Sequence, residues 1–165
     1  MDYNSIASIQ EEGFKGFETI GSMMQNACQN VPHIQGVYFV LNQNHIKDFL
    51  EESTGGWFKK KNPSVEQNVL EQNWVNDAIV LNMGKAGGSS SSATLNSRLK
   101  QYMNFGQGKP VGHWGGRLIW QLSTSSDLVI CWKELLDDEP REVEKAYIQD
   151  FIHEFGKRPF ANLTG

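Results

Sequence analysis

The stretch Pro140–Gly156 constrains the chain most, because it reads as one long helix whose buried stripe contains an acid. At helical period Glu144, Ile148, Phe151 and Phe155 fall on the same side. Three of these four are large and apolar, so the stripe faces a core. Glu142 and Glu154 lie off it and stay in water. A carboxylate on such a stripe is partly desolvated, and burying an unpaired charge is costly. Glu144 therefore needs an arginine, a hydrogen-bond donor or a metal ion as partner.

The 165 residues suffice for one domain with a real core. The formal net charge of −4 argues against a general polyanion coat, although a local basic patch is compatible with it. Cys28 and Cys131 stand far apart among apolar residues and read as reduced core thiols. No basic and apolar leader opens the chain, and no apolar run is long enough to cross a bilayer. The expected location is cytoplasmic, with no membrane partner.

Taken in order, Phe17, Ile20, Met24, Cys28 and Val31 have the spacing of an amphipathic helix over Phe14 to Val31, stopped at Pro32. Gly36–Leu41 reads as a buried strand, β-branched and aromatic. An insertion follows at about 45–76. Within it His45 to Glu52 reads as a short helix, Lys59-Lys60-Lys61-Asn62-Pro63 as a basic turn, and Ser64 as the cap of a second helix running to about Asn73. Asp77–Met83 is a second strand, leading into a loop of Gly84-Lys85-Ala86-Gly87-Gly88 and Ser89 to Ser92. The glycine spacing of a P-loop is absent, so no nucleotide cofactor is expected. Thr94 caps a helix from Leu95 to Phe105, on which Arg98 and Tyr102, four apart, share a side. A glycine-rich loop holding His113 comes next. Arg117 to Leu122 and Leu128 to Trp132 then alternate like paired strands.

The order of these parts resembles the GIY-YIG nuclease family. Gly36-Val37-Tyr38 lies in one strand and Gly84-Lys85 ends the next. Arg98 lies on the following helix, Glu144 on a later one, and Pro159-Phe160-Ala161-Asn162 closes the chain. The resemblance runs from about Gly36 to Asn162. It implies an α+β fold with a small three-stranded antiparallel sheet flanked by helices. Residues 36–162 would form the core of a single domain 1–165, with residues 1–35 as an N-terminal helical extension and the helical insertion between the first two strands. It also implies a metal-dependent endonuclease using Mg²⁺ or Mn²⁺ and cutting nucleic acid, DNA in preference to RNA. Tyr38 would act near the attacking water, Lys85 beside the second motif, Arg98 on the phosphate, and Tyr102 one turn after it. Glu144 would hold the metal and Asn162 support the site. The second motif departs from the family in reading Asn82-Met83-Gly84, with asparagine where a tyrosine is expected. That departure keeps open a catalytically weak or inactive nucleic-acid-binding module on the same scaffold.

The chemistry fits the residue types. Phosphodiester hydrolysis needs an activated water, neutralised phosphate charge and a stabilised leaving oxygen. Mg²⁺ keeps several waters and prefers oxygen ligands, so one carboxylate suffices to dock it. An arginine fork matches the nonbridging oxygens. Each residue also has a plainer reading: Glu144 and Arg98 as a structural ion pair, Tyr38 and Tyr102 as packed phenols, Lys85 as a solvated lysine, Asn162 as a turn former. His113 has the range for acid or base work, but reads as a surface-loop residue with a structural or substrate-contact role. Lys59, Lys60, Lys61, Lys109 and Arg117 are candidates for nucleic-acid contact, with Trp57 and Trp114 placed to stack on bases. A small-molecule enzyme on an unrelated α+β fold is the third reading, and it predicts a closed apolar pocket.

Overall fold

Alternation along Gly36–Leu41 sends Val37, Phe39 and Leu41 to one side and Tyr38 and Val40 to the other, and both sides are covered, so the strand is central. In the computed structural model, which describes residues 1–164, this strand, β2 (Gly36–Leu41), lies between β4 (Val129–Glu134) and β3 (Val80–Ala86). The fourth strand, β1 (Lys15–Thr19), pairs with β4, giving an antiparallel sheet of order β1-β4-β2-β3. The α+β class thus holds, but the sheet has four strands rather than three.

The additional strand comes from the segment expected as the N-terminal helix. That region forms a short helix α1 (Ile6–Glu11), then β1, then a second short helix α2 (Ile20–Gln25). Helical spacing of the apolar residues is overridden by sheet pairing. Gly16 lies flush against the Trp132 ring of β4, where a Cβ would collide with the indole, and a bulge between Gly16 and Glu18 resets the register.

The insertion is mostly irregular and holds one helix, α3 (Gln67–Asn73). No helix forms over His45 to Glu52. The backbone there runs extended, with Leu50 N–H bonded to the Gln121 carbonyl and Phe49 bridged to Leu122. Ser64 caps nothing; its hydroxyl accepts from the Ser53 N–H. The buried Gln121 amide fastens this segment by donating to the carbonyls of Leu50, Glu51 and Val65 and accepting from the Val65 N–H. Residues Arg117–Gln121 are a 3₁₀ turn, not a strand, because Leu118, Ile119 and Trp120 are all buried in succession.

The two remaining helices cover opposite faces of the sheet. On one face, α4 (Leu95–Gly106) buries Leu95, Leu99, Tyr102, Met103 and Phe105 with Tyr38 and Val40. On the other, α5 (Pro140–Phe155) buries Ile148 and Phe151 with Val37, Phe39 and Met83. Both cysteines are free and buried, one in each core. Among the described residues no helix is long and apolar enough to cross a membrane. Gly165, the last residue of the expected domain, lies outside the described residues.

Candidate active site

β3 forms one edge of the sheet, and the site is built around that edge. The strand runs three residues further than its apolar pattern suggests, so Gly84 and Lys85 sit inside it and not in a loop. Tyr38 is opposite Gly84 and Val37 opposite Lys85. Paired residues share a face, so Tyr38, Gly84 and Asn82 look toward α4 while Lys85 looks toward α5. A Cβ on Gly84 would overlap the Tyr38 ring and hydroxyl. Glycine is therefore what lets the phenol lie across the edge strand.

An open cleft of roughly 1110 Å³ wraps this edge. Tyr38, Asn82, Lys85, Arg98, Glu144 and Asn162 all line it, and so does His113. Seven of the eight named site positions thus come from β2, β3, α4, α5, the glycine-rich loop and the C-terminal segment to one surface. Tyr102 lies directly beneath, fully buried. Its hydroxyl donates to the Gly116 carbonyl at 2.7 Å and receives the Asn82 amide at 3.3 Å. Tyr102 therefore packs under the site and is spent on internal bonds. The cleft is open and polar, not the closed apolar pocket that a small-molecule enzyme predicts.

Asn162 closes the outer side. Its amide accepts from Met83 N–H at 2.8 Å and donates to Met83 C=O at 2.9 Å, while Ala161 N–H bonds the Leu81 carbonyl at 2.7 Å. The side chain pairs with β3 as a further strand would, fixing the backbone beside Gly84. Arg98 is steadied by donating to Gln101 Oε1 at 2.8 Å and to the Gly112 carbonyl.

Glu144 is half-buried on the α5 stripe. Burial raises its pKa, and the charges of Lys85, Arg98 and Arg141 pull the other way. The ion pairs among the described residues are Lys15–Glu134 and Lys47–Glu71, so the structural Glu144–Arg98 pair is not formed. Burial also pushes the Tyr38 phenol well up; Arg98 opposes this and Glu144 adds to it.

His113 departs most from expectation. Instead of sitting in a surface loop it is 2% exposed, its ring stacked on Tyr102 at 3.9 Å and its Nε2 3.2 Å from the Tyr38 hydroxyl. The glycine-rich loop folds inward because Gly116 presses against the Tyr102 hydroxyl and the Asn82 amide, where a Cβ has no room. Burial, aided by the Arg98 charge, holds His113 well below its ordinary pKa, so the imidazole is neutral.

The basic candidates fall outside the cleft lining. Lys59, Lys60 and Lys61 are exposed at a turn closed by the Phe58–Lys61 bridge, Lys109 is exposed beside Asn104, and Arg117 lies over the Trp114 ring. Lining residues that escape the sequence reading include Gln101, Arg141 and Lys145. The first two were detectable by helical spacing, three residues from Arg98 and from Glu144 respectively. Compared with protein-family models, curated proteins and solved structures, the chain matches none of them.

Proposed function

We propose that the protein is a metal-dependent endonuclease that hydrolyses phosphodiester bonds in nucleic acid, DNA in preference to RNA. One observation carries the reading: a phenol, a guanidinium and an ion-unpaired, half-buried carboxylate, from three separate elements, face one open cleft. An open cleft suits a polymer that must enter and leave sideways.

The residues fit a divalent cation. No group of three His, Cys, Asp or Glu gathers among the described residues; Glu144 would be the one protein ligand. Mg²⁺ or Mn²⁺ prefers oxygen ligands and keeps several waters, so substrate phosphate and water would have to supply the rest. When bound, the ion supplies charge to the phosphate and leaving oxygen. The cost of keeping Glu144 desolvated is offset once that charge arrives.

The chain supplies the rest. Arg98, its fork held by Gln101, binds the nonbridging oxygens. Lys85 and Arg141 flank Glu144 and neutralise the adjoining phosphate. Tyr38 presents its oxygen through the gap at Gly84 and positions the attacking water. Asn162 keeps that strand edge in place. The second reading, a binding module without turnover, is favoured by Asn82, whose amide bonds Tyr102 in place of a second phenol.

The test is cleavage of DNA and RNA panels with Mg²⁺ or Mn²⁺ by wild type and Glu144→Gln. Wild type cuts and the variant loses cutting by at least about 100-fold, the scale of a lost electrostatic stabiliser. Equal cutting by both defeats the assignment. Metal-independent binding without any cutting selects the module.

A further inference from the structure

We propose that His113 is a positioning residue whose Nε2–H donates to the Tyr38 oxygen and fixes the phenol at the cleft edge, where it positions the attacking water. The inference rests on the nuclease reading for its catalytic use, but its hydrogen bond stands on geometry alone.

The ring contacts decide which nitrogen carries the proton. His113 Nε2 lies 3.2 Å from the Tyr38 hydroxyl, whereas Nδ1 is buried with no partner. A neutral imidazole has one N–H and one lone pair. An orphaned buried N–H forfeits a full hydrogen bond to water, and an orphaned acceptor is tolerated better. The proton therefore sits on Nε2 and points at Tyr38. Stacking on Tyr102, whose own hydroxyl is fixed by Gly116 and Asn82, prevents the ring from turning away.

A neutral histidine suits this task. Charged, it would add cost in a buried site already facing Arg98; neutral, it still gives one directed N–H. The groups facing Tyr38 are then Arg98 from α4, Glu144 from α5, Tyr102 beneath and His113 from the loop. With Nε2–H occupying one lone pair, the Tyr38 proton points into the open cleft and the second lone pair is left to hold the attacking water. That water gives a proton to solvent as its oxygen bonds phosphorus and the bond from phosphorus to the leaving sugar oxygen breaks, and the leaving oxygen takes a proton from solvent. His113 neither gains nor loses a proton. This donor also gives the chain an answer to the missing phenol at Asn82.

Two measurements test it. Nitrogen-15 spectra of histidine-labelled wild type, with the His113 signal assigned by its loss in a variant, are expected to show the Nε2–H tautomer through neutral pH. The Nδ1–H tautomer, or a charged ring, overturns the proposal whether or not the protein cuts. In cleavage assays His113→Gln, whose amide reaches the Nε2 position, keeps turnover within about tenfold. His113→Asn, whose amide reaches only the Nδ1 position, loses about 100-fold, as does removal of an oxyanion donor elsewhere. Equal losses for the two amides, at equal stability, also overturn it. Cutting that Glu144→Gln leaves intact instead condemns the nuclease reading, with the tautomer still deciding the hydrogen bond.

Discussion

A methyl group added at position 84 has nowhere to go but into the Tyr38 ring. Gly84→Ala must either push that phenol off the cleft edge or shift the edge strand against Asn162. The expected cost is about 1–3 kcal/mol, the range for overpacking a filled site. Chemical denaturation measures it, and cleavage is lost together with the stability. Lys85→Ala, one residue on and partly exposed, is the control: fold stability unchanged within about 0.5 kcal/mol, with weaker activity. An equally stable, fully active Gly84→Ala would show that Tyr38 does not work through this gap. At this scale the sequence is informative about Tyr38, Arg98 and Glu144, whose positions follow from strand and helix period, whereas Asn162 has no periodic signal and enters only through the resemblance. The sequence is not informative about His113. A histidine between glycines carries no periodic signal, and its burial depends on Gly116, Tyr102 and Asn82 meeting across 34 residues of chain.

The two helices that carry charge to the cleft were legible for local reasons. Thr94 accepts from Ser97 N–H while the Ser97 hydroxyl accepts from Thr94 N–H, a reciprocal cap written in four consecutive residues. Arg98 follows in the next turn, so the cap fixes the base of the arginine as well as the helix. Thr94→Ala is expected to cost about 1 kcal/mol of stability, the usual value of an N-cap, whereas Thr94→Ser costs little. Thermal denaturation reads the difference, and substrate affinity weakens in step as the first turn frays. An unchanged melting temperature for Thr94→Ala would mean the Ser97 half of the cap suffices. The elements that were misread have no such local code. β1 exists because β4 offers an unpaired edge and Gly16 lets Trp132 lie across it, a long-range event that outweighs the helical spacing of Phe17, Ile20 and Met24. Arg117–Gln121 alternates weakly in sequence but buries three consecutive apolar side chains, which a strand with one wet face cannot do.

Across the whole molecule, the sheet and its two covering helices hold the Glu144 carboxylate half-buried, at a cost that Lys85, Arg98 and Arg141 reduce and that, on the proposed reading, a bound cation would offset. Burial raises the Glu144 pKa in the folded chain above its value in the unfolded chain. A carboxyl shifted upward contributes its stability while protonated, in full below the ordinary glutamate value of about 4.3, and loses that contribution as pH rises through the folded value. At pH 7, without divalent metal, the charged side chain therefore works against the fold. Glu144→Gln is expected to melt higher than wild type at pH 7, and the gap narrows as pH falls below the ordinary glutamate range. Adding Mg²⁺ or Mn²⁺ reverses the order, because a ligand that binds only the folded state stabilises by about 2.7 kcal/mol at 100 times its dissociation constant, and the glutamine variant has lost the carboxylate that docks it. Melting curves of both proteins at several pH values, with and without the ion, separate the possibilities. Parallel pH curves, or equal stabilisation of both proteins by the ion, would leave Glu144 as an ordinary half-buried acid with no metal to hold.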